Sequence, residues 1–169
     1  MVAVAKNQVA RRARRGGCRR GYSDRKKRTL HLVDIENLCG DGFPDHDAAV
    51  SVLSSYIEAA KLGADDFGFA SANRHLTKYL AYDLPDALRW VPGGTGPDAA
   101  ERALLDHTDA GFVARRYDRV VIGSGDHAFA DLACDLVAAG REVVVVAVDG
   151  SLSRKLSSAA TAVVLLPVA

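Results

Sequence analysis

The stretch Arg119 to Asp149, RVVIGSGDHAFADLACDLVAAGREVVVVAVD, constrains the fold of this chain more than any other. Val120 to Ile122 form a short apolar run that ends in the tight turn Gly123-Ser124-Gly125. Phe129, Leu132, Ala133, Leu136 and Val137 then recur at i, i+3, i+4, i+7 and i+8, the stripe of a helix buried along one face. Cys134 is expected on that buried side. Gly140 suits the C′ position that stops a helix. Val143 to Val148 make a second apolar run. Two buried strands joined through a helix form a βαβ unit with parallel strands and a right-handed crossover. Asp126 falls just past the C-terminal end of the first strand, where open α/β sheets place their ligands.

The preceding residues repeat the alternation. TLHLVD (Thr29 to Asp34) reads as a buried strand, DFGFA (Asp66 to Ala70) as a second and LRWV (Leu88 to Val91) as a third. Between them the spacing predicts a helix from about Asp47 to Leu62, with Val50, Leu53, Ile57 and Ala60 inward and Gly63 as its stop. Asn73 is suited to cap a short helix carrying Leu76, Tyr79 and Leu80. After the turn PGGTGP, a helix is expected from Asp98 to about Ala114, with Ala100, Ala103, Leu104 and His107 inward. SLSRKLSSAAT reads as a short helix or loop, and Ala162 to Leu166 as a last strand. Strands alternating with helices argue for a three-layer α/β domain with a largely parallel sheet.

Charge divides the chain in two. Residues 1–28 carry 11 of the 22 Lys+Arg and one acid, Asp24, a balance of +10; the rest carries 11 basic and 20 acidic groups, a balance of −9. The first 28 residues hold almost no large apolar side chains and are read as a disordered basic arm, with the ordered domain at 29–169. Arg11, Arg12, Arg14 and Arg15 in such an arm can neutralise phosphates without reading sequence, and a solubilising tail is the plain alternative. The three cysteines, Cys18, Cys39 and Cys134, lack metal-ligand or C-x-x-C spacing and are read as reduced thiols of a cytoplasmic protein. No apolar run approaches the length of a membrane span, and the N-terminus lacks the apolar segment of a secretory signal. Its Arg-rich composition would equally suit an organellar transit peptide.

Three acids fall where a parallel sheet would gather them: Asp34 ends the first strand, Asp98 opens the helix after the third, and Asp126 follows the fourth. Carboxylates converging on one crevice repel one another, and Mg²⁺ or Mn²⁺ is the natural counterweight for hard oxygen ligands. Such an ion can polarise a phosphoryl oxygen and supply the attacking hydroxide, which makes a phosphodiester the expected substrate. Each acid also has an ordinary explanation. Asp126 and Asp98 stand at helix starts, where a carboxylate caps. Asp34, at the end of an apolar strand, needs a partner or water. Asn37 is equally a turn residue. Glu101, Asp106 and Asp109 read as the solvated face of their helix, Asp131 and Asp135 as that of the next, and His31 as structural.

VDIEN (Val33 to Asn37) resembles the V-D-x-x-N opening of the NYN domains, a branch of the PIN-like metal-dependent nucleases. GSGDHAF (Gly123 to Phe129) resembles their S-G-D-x-D-F segment, and REVVVVAVDGSLSRKL the strand and serine-containing loop that follow. GPDAAERALLD (Gly96 to Asp106) is similar to the segment that places an acid before a helix. The resemblance spans about Thr29 to Pro167. It implies a PIN-like fold with a central sheet of five to six strands in the order 3-2-1-4-5. It further implies an endoribonuclease with Asp34, Asp98 and Asp126 on Mg²⁺ or Mn²⁺, acting on RNA, with single strands the expected partner and strand preference not read from the sequence. Asn37 would orient Asp34 or the substrate, and Ser124 would contact a phosphate or support the site from behind. One departure is plain: Ala128 stands where the family pattern has a second acid two residues after Asp126. No residue reads as a dedicated general base.

Two other readings stay open. A non-catalytic RNA-binding or assembly module would use the arm for affinity and keep the acidic crevice as a remnant. A dinucleotide-binding domain would use Gly123-Ser-Gly125-Asp-His-Ala128 as G-x-G-x-x-A, with Asp149 at the end of the next strand. In that case Asp126 would set a negative charge beside the pyrophosphate. A homo-oligomer or a protein partner is compatible with every reading.

Overall fold

A computed structural model describes residues 27–40, 45–73, 80, 82–94, 96 and 98–167. Arg11, Arg12, Arg14 and Arg15 of the arm and the helix residues Leu76 and Tyr79 lie outside the described residues. Six strands, β1 (Thr29–Asp34), β2 (Phe67–Ala72), β3 (Leu88–Pro92), β4 (Arg119–Gly123), β5 (Glu142–Val148) and β6 (Ala162–Leu166), form one sheet in the order 3-2-1-4-5-6. Every pairing is parallel. The expected three-layer α/β architecture is therefore observed, with β6 extending the sheet beyond the fifth strand.

The central strands β1, β4 and β5 are buried on both faces, as parallel strands within a sheet are, while the edge strand β6 leaves Val163 and Leu165 exposed. One face packs on α1 (Ile35–Cys39) and α2 (His46–Ala60), through Val33, Ala70, Val121, Val144 and Val146 against Ile35, Leu38, Leu53 and Tyr56. The other packs on α3 (Ala99–Asp106), α4 (Ala110–Arg116), α5 (Ala130–Ala138) and α6 (Arg154–Ala159), through Leu30, Leu32, Val120, Ile122, Val143 and Val145 against Leu104, Val113, Leu132, Leu136 and Leu156. Crossovers change face between β1 and β4. The strand ends diverge there, which opens a crevice.

Local chemistry sets the element ends, in places differently from the periodic reading. The helix expected over 98–114 is two helices, because the Asp109 carboxylate accepts from Phe112 N–H and starts α4 afresh. His107 is consequently exposed, held by Nδ1 at 2.8 Å from its own Ala103 carbonyl. Helix α2 turns Ala49 and Tyr56 inward, while Val50 and Ile57 are only partly buried. Tyr56 is drawn in by His31, its hydroxyl 2.8 Å from Nδ1. Gly123 leaves room for the ring, since a Cβ there would lie 2.6 Å from it. The helix ends at Lys61, which takes the left-handed conformation (φ 56°), rather than at Gly63. Cys134 is exposed, because Phe129, Leu132, Ala133 and Leu136 already fill the inner face of the fourth-strand helix. Gly140 follows α5 at φ 77°, as expected. Helix α1 had no periodic signal. It is set by its ends, with the Asp34 carboxylate accepting from Asn37 N–H and Gly40 left-handed.

Candidate functional site

The crevice between β1 and β4 holds a cavity of about 270 Å³ lined by Asp34, Glu36, Asn37, Gly40, Asp98, Ala100, Glu101, Asp126 and Ser151. It gathers the three expected acids and adds two more carboxylates. Among the described residues, no basic side chain lines it. The first of the two additions is Glu101, expected on a solvated helix face; its position three residues after Asp98 puts both on one side of α3. Glu36, the second, is held by Asn73, whose Nδ2 donates to its carboxylate.

Asp34 is only 4% exposed. Burial raises its carboxyl from 3.8 to about 7; the Asn37 N–H opposes this, and the charges of Glu36, Glu101 and Asp126 reinforce it. Glu101 is likewise raised to about 7, first by burial, then by the charges of Asp126 and Asp98 and by a hydrogen bond to the Asp126 side chain. Like charges this close repel one another, and a nearby cation would relieve that repulsion. Asp126 Oδ1 accepts from Ala128 N–H at 2.7 Å and lies 3.0 Å from His127 Nδ1. Asp126 thus caps the turn and faces the cleft together. Asp98 differs: it adopts φ 59°, is exposed, and makes no side-chain cap bond, so capping does not account for it. The Cys39 thiol nearby is pushed up to about 11 by burial, Asp34 and Glu36, which excludes it as a nucleophile at neutral pH.

Asn37 and Ser124 act on the backbone of the glycine turn. Asn37 Oδ1 accepts from Gly125 N–H at 2.6 Å, tying α1 to the end of β4. Ser124 is fully buried, and its Oγ accepts from Asp126 N–H at 3.1 Å, so it stands behind Asp126 and off the cleft wall. These bonds consume the N–H groups that a pyrophosphate would need. The glycines are likewise used by the chain itself, since a Cβ on Gly125 would lie 2.5 Å from the Ser151 carbonyl oxygen. Asp149 is exposed beyond β5. The turn therefore offers no cradle to a dinucleotide.

The donor set has the chemistry of a hard divalent cation's ligands: carboxylates, with Asp34 deeply buried and Glu101 beside Asp126. Among the described residues, however, no group of three His, Cys, Asp or Glu side chains is placed to hold an ion.

A parallel α/β sheet with an acidic cleft at its switch point is the class that fold and site define. No family model matches the chain, and no curated protein matches it. It is similar in fold to the crystal structure of a protein of unknown function from Vibrio parahaemolyticus, with a TM-score of 0.60 and 20% identity. The match covers 86% of this chain and 96% of that one. Among the described residues, no helix is long and apolar enough to cross a membrane.

Proposed function

We propose that the chain is a divalent-metal-dependent endoribonuclease of the NYN, PIN-like type. The observation that carries the reading is the cleft itself: five carboxylates with no Lys or Arg among the described residues of its wall, His127 beside Asp126 at its edge, and Asp34 buried among them. A site of this composition is unfavourable alone and favourable around a cation. RNA as substrate rests on the resemblance of the segments 33–37, 96–106 and 123–129 to NYN domains, and single strands are the first to try.

Asp34 and Asp126 are the groups that would hold Mg²⁺ or Mn²⁺ directly, with Asp98, Glu101 and Glu36 accepting from its water. A divalent ion there supplies Lewis acidity to a phosphodiester and lowers the pKa of water. The protein's own part is positional. Asn37 and Ser124 pin the glycine turn, and that turn sets the direction of Asp126. Glu101 supplies, from a different helix, a carboxylate beside Asp126 where Ala128 supplies none.

The test is cleavage of a mixed-sequence single-stranded RNA with Mg²⁺, Mn²⁺ or EDTA. Metal-dependent cutting lost in Asp126→Asn supports the reading. Ala128 favours the second reading, a non-catalytic RNA-binding module. Binding without cleavage in either metal, unaffected by Asp126→Asn, would establish that module instead.

A further inference from the structure

Ser71, at the C-terminal end of β2, is fully buried, and its Oγ has no hydrogen-bond partner among the described residues. Strand alternation puts Phe67, Phe69 and Ser71 on one face, and the parallel register sets them beside Leu30, Leu32 and Asp34. Both phenylalanines pack in the cluster that contains Leu30, Leu32 and Leu104, so this is the face covered by α3. Ser71 and Asp34 are therefore side-by-side neighbours in the sheet, with Ser71 behind the wall to which Asp34 contributes.

An unpartnered buried hydroxyl costs about 1–3 kcal/mol, whereas alanine in its place would cost nothing of the kind. Alanine is what β2 carries on either side, at Ala70 and Ala72. The other buried polar atoms without partners do not adjoin the carboxylates. His31 Nε2 faces Asp66 at 3.5 Å, and Trp90 packs in the core of the opposite face. Asp34 meanwhile accepts a hydrogen bond from Asn37 N–H through Oδ1 alone, at 3.2 Å. An ionised carboxylate has about four acceptor sites.

We propose that Ser71 is a positioning residue of the cleft, whose hydroxyl donates to the Asp34 carboxylate when a divalent cation is bound and holds it toward that cation. The inference rests on the divalent-cation reading above and adds a residue from a third strand to it.

The experiment uses the full chain and Mn²⁺ alone as probe. Mn²⁺ affinity is measured by calorimetry, and thermal unfolding is recorded in EDTA, for the natural chain and Ser71→Ala. Partners that orient a metal's ligands are worth roughly 10–100-fold in affinity, so Ser71→Ala should weaken Mn²⁺ binding at least about 10-fold. The unfolding temperature in EDTA should stay level or rise, because an unpaired hydroxyl has been removed. Equal Mn²⁺ affinity in both proteins would overturn this inference and leave the cation reading standing. Weaker binding accompanied by a lower unfolding temperature in EDTA would also overturn it, marking the hydroxyl as structural. Absence of Mn²⁺ binding by the natural chain would overturn both.

Discussion

Replacing Asp34 with asparagine should make the metal-free protein more stable at pH 8. Folded Asp34 keeps its proton to about pH 7, whereas a carboxyl in the unfolded chain loses it near 3.8. Between those values the folded state binds more protons, so stability falls as pH rises through the window. The penalty is absent below about pH 4 and complete above about pH 7. A rise of this size corresponds to roughly 4 kcal/mol. A buried amide retains part of the desolvation cost, and its oxygen can still accept from Asn37 N–H, so roughly 2 kcal/mol of net gain is expected. For a chain of 169 residues that is roughly 4–8 °C in unfolding temperature. The assay is thermal unfolding of both proteins in EDTA from pH 4 to 8. The variant's advantage should grow with pH and reverse at pH 4, where protonated Asp34 carries no penalty and the amide still carries its desolvation cost, and His31 titration cancels because both proteins contain it. A variant less stable than the natural chain at pH 8 would refute the reasoning, making the Asp34 carboxylate a stabilising cap of α1 and not a strained ligand.

Gly125→Ala would place a Cβ 2.5 Å from the Ser151 carbonyl oxygen, so the turn must shift; a loss of about 1–3 kcal/mol is expected in denaturant unfolding, and unchanged stability would contradict this packing. Burial lowers His31 from 6.5 to about 4, so the unfolded state binds the extra proton between those values. Stability contributed by neutral His31 is therefore lost as pH falls through that window, by up to about 3 kcal/mol. Unfolding of the double variant Asp34→Asn/Glu101→Gln, in which both raised carboxyls are gone, should reveal this slope, and a flat profile from pH 4 to 6.5 would contradict it. Deleting residues 1–26 should weaken RNA binding and flatten its salt dependence, by about one unit of log–log slope for each phosphate the arm no longer neutralises; an unchanged slope would remove the arm from recognition.

Much of the frame was legible because it is written in local patterns. The βαβ unit from Arg119 to Asp149 announces itself through two valine-rich runs and a helical stripe, and strand ends then locate Asp34 and Asp126. The site's remaining parts depend on what lies alongside. Glu101 reads as solvated on its own helix, and only the packing of α3 over the strand ends turns it to the cleft, although its spacing from Asp98 held the clue. Ser71 carries no local signal: it matters because β2 pairs in register with β1. Asn37 reads as a turn residue until Gly125, 88 residues away, supplies its donor. Cys134 shows the converse, where a stripe already complete left the neighbouring position to solvent.

The central claim, that the acidic cleft binds a divalent cation which drives RNA cleavage, is tested most directly by one time course. Single-stranded RNA is incubated with the full chain and Mn²⁺, beside Asp126→Asn and an EDTA control. The account predicts cleavage by the natural chain that EDTA stops and Asp126→Asn abolishes while still unfolding cooperatively. Cleavage that persists in EDTA, or equally in Asp126→Asn, would contradict it.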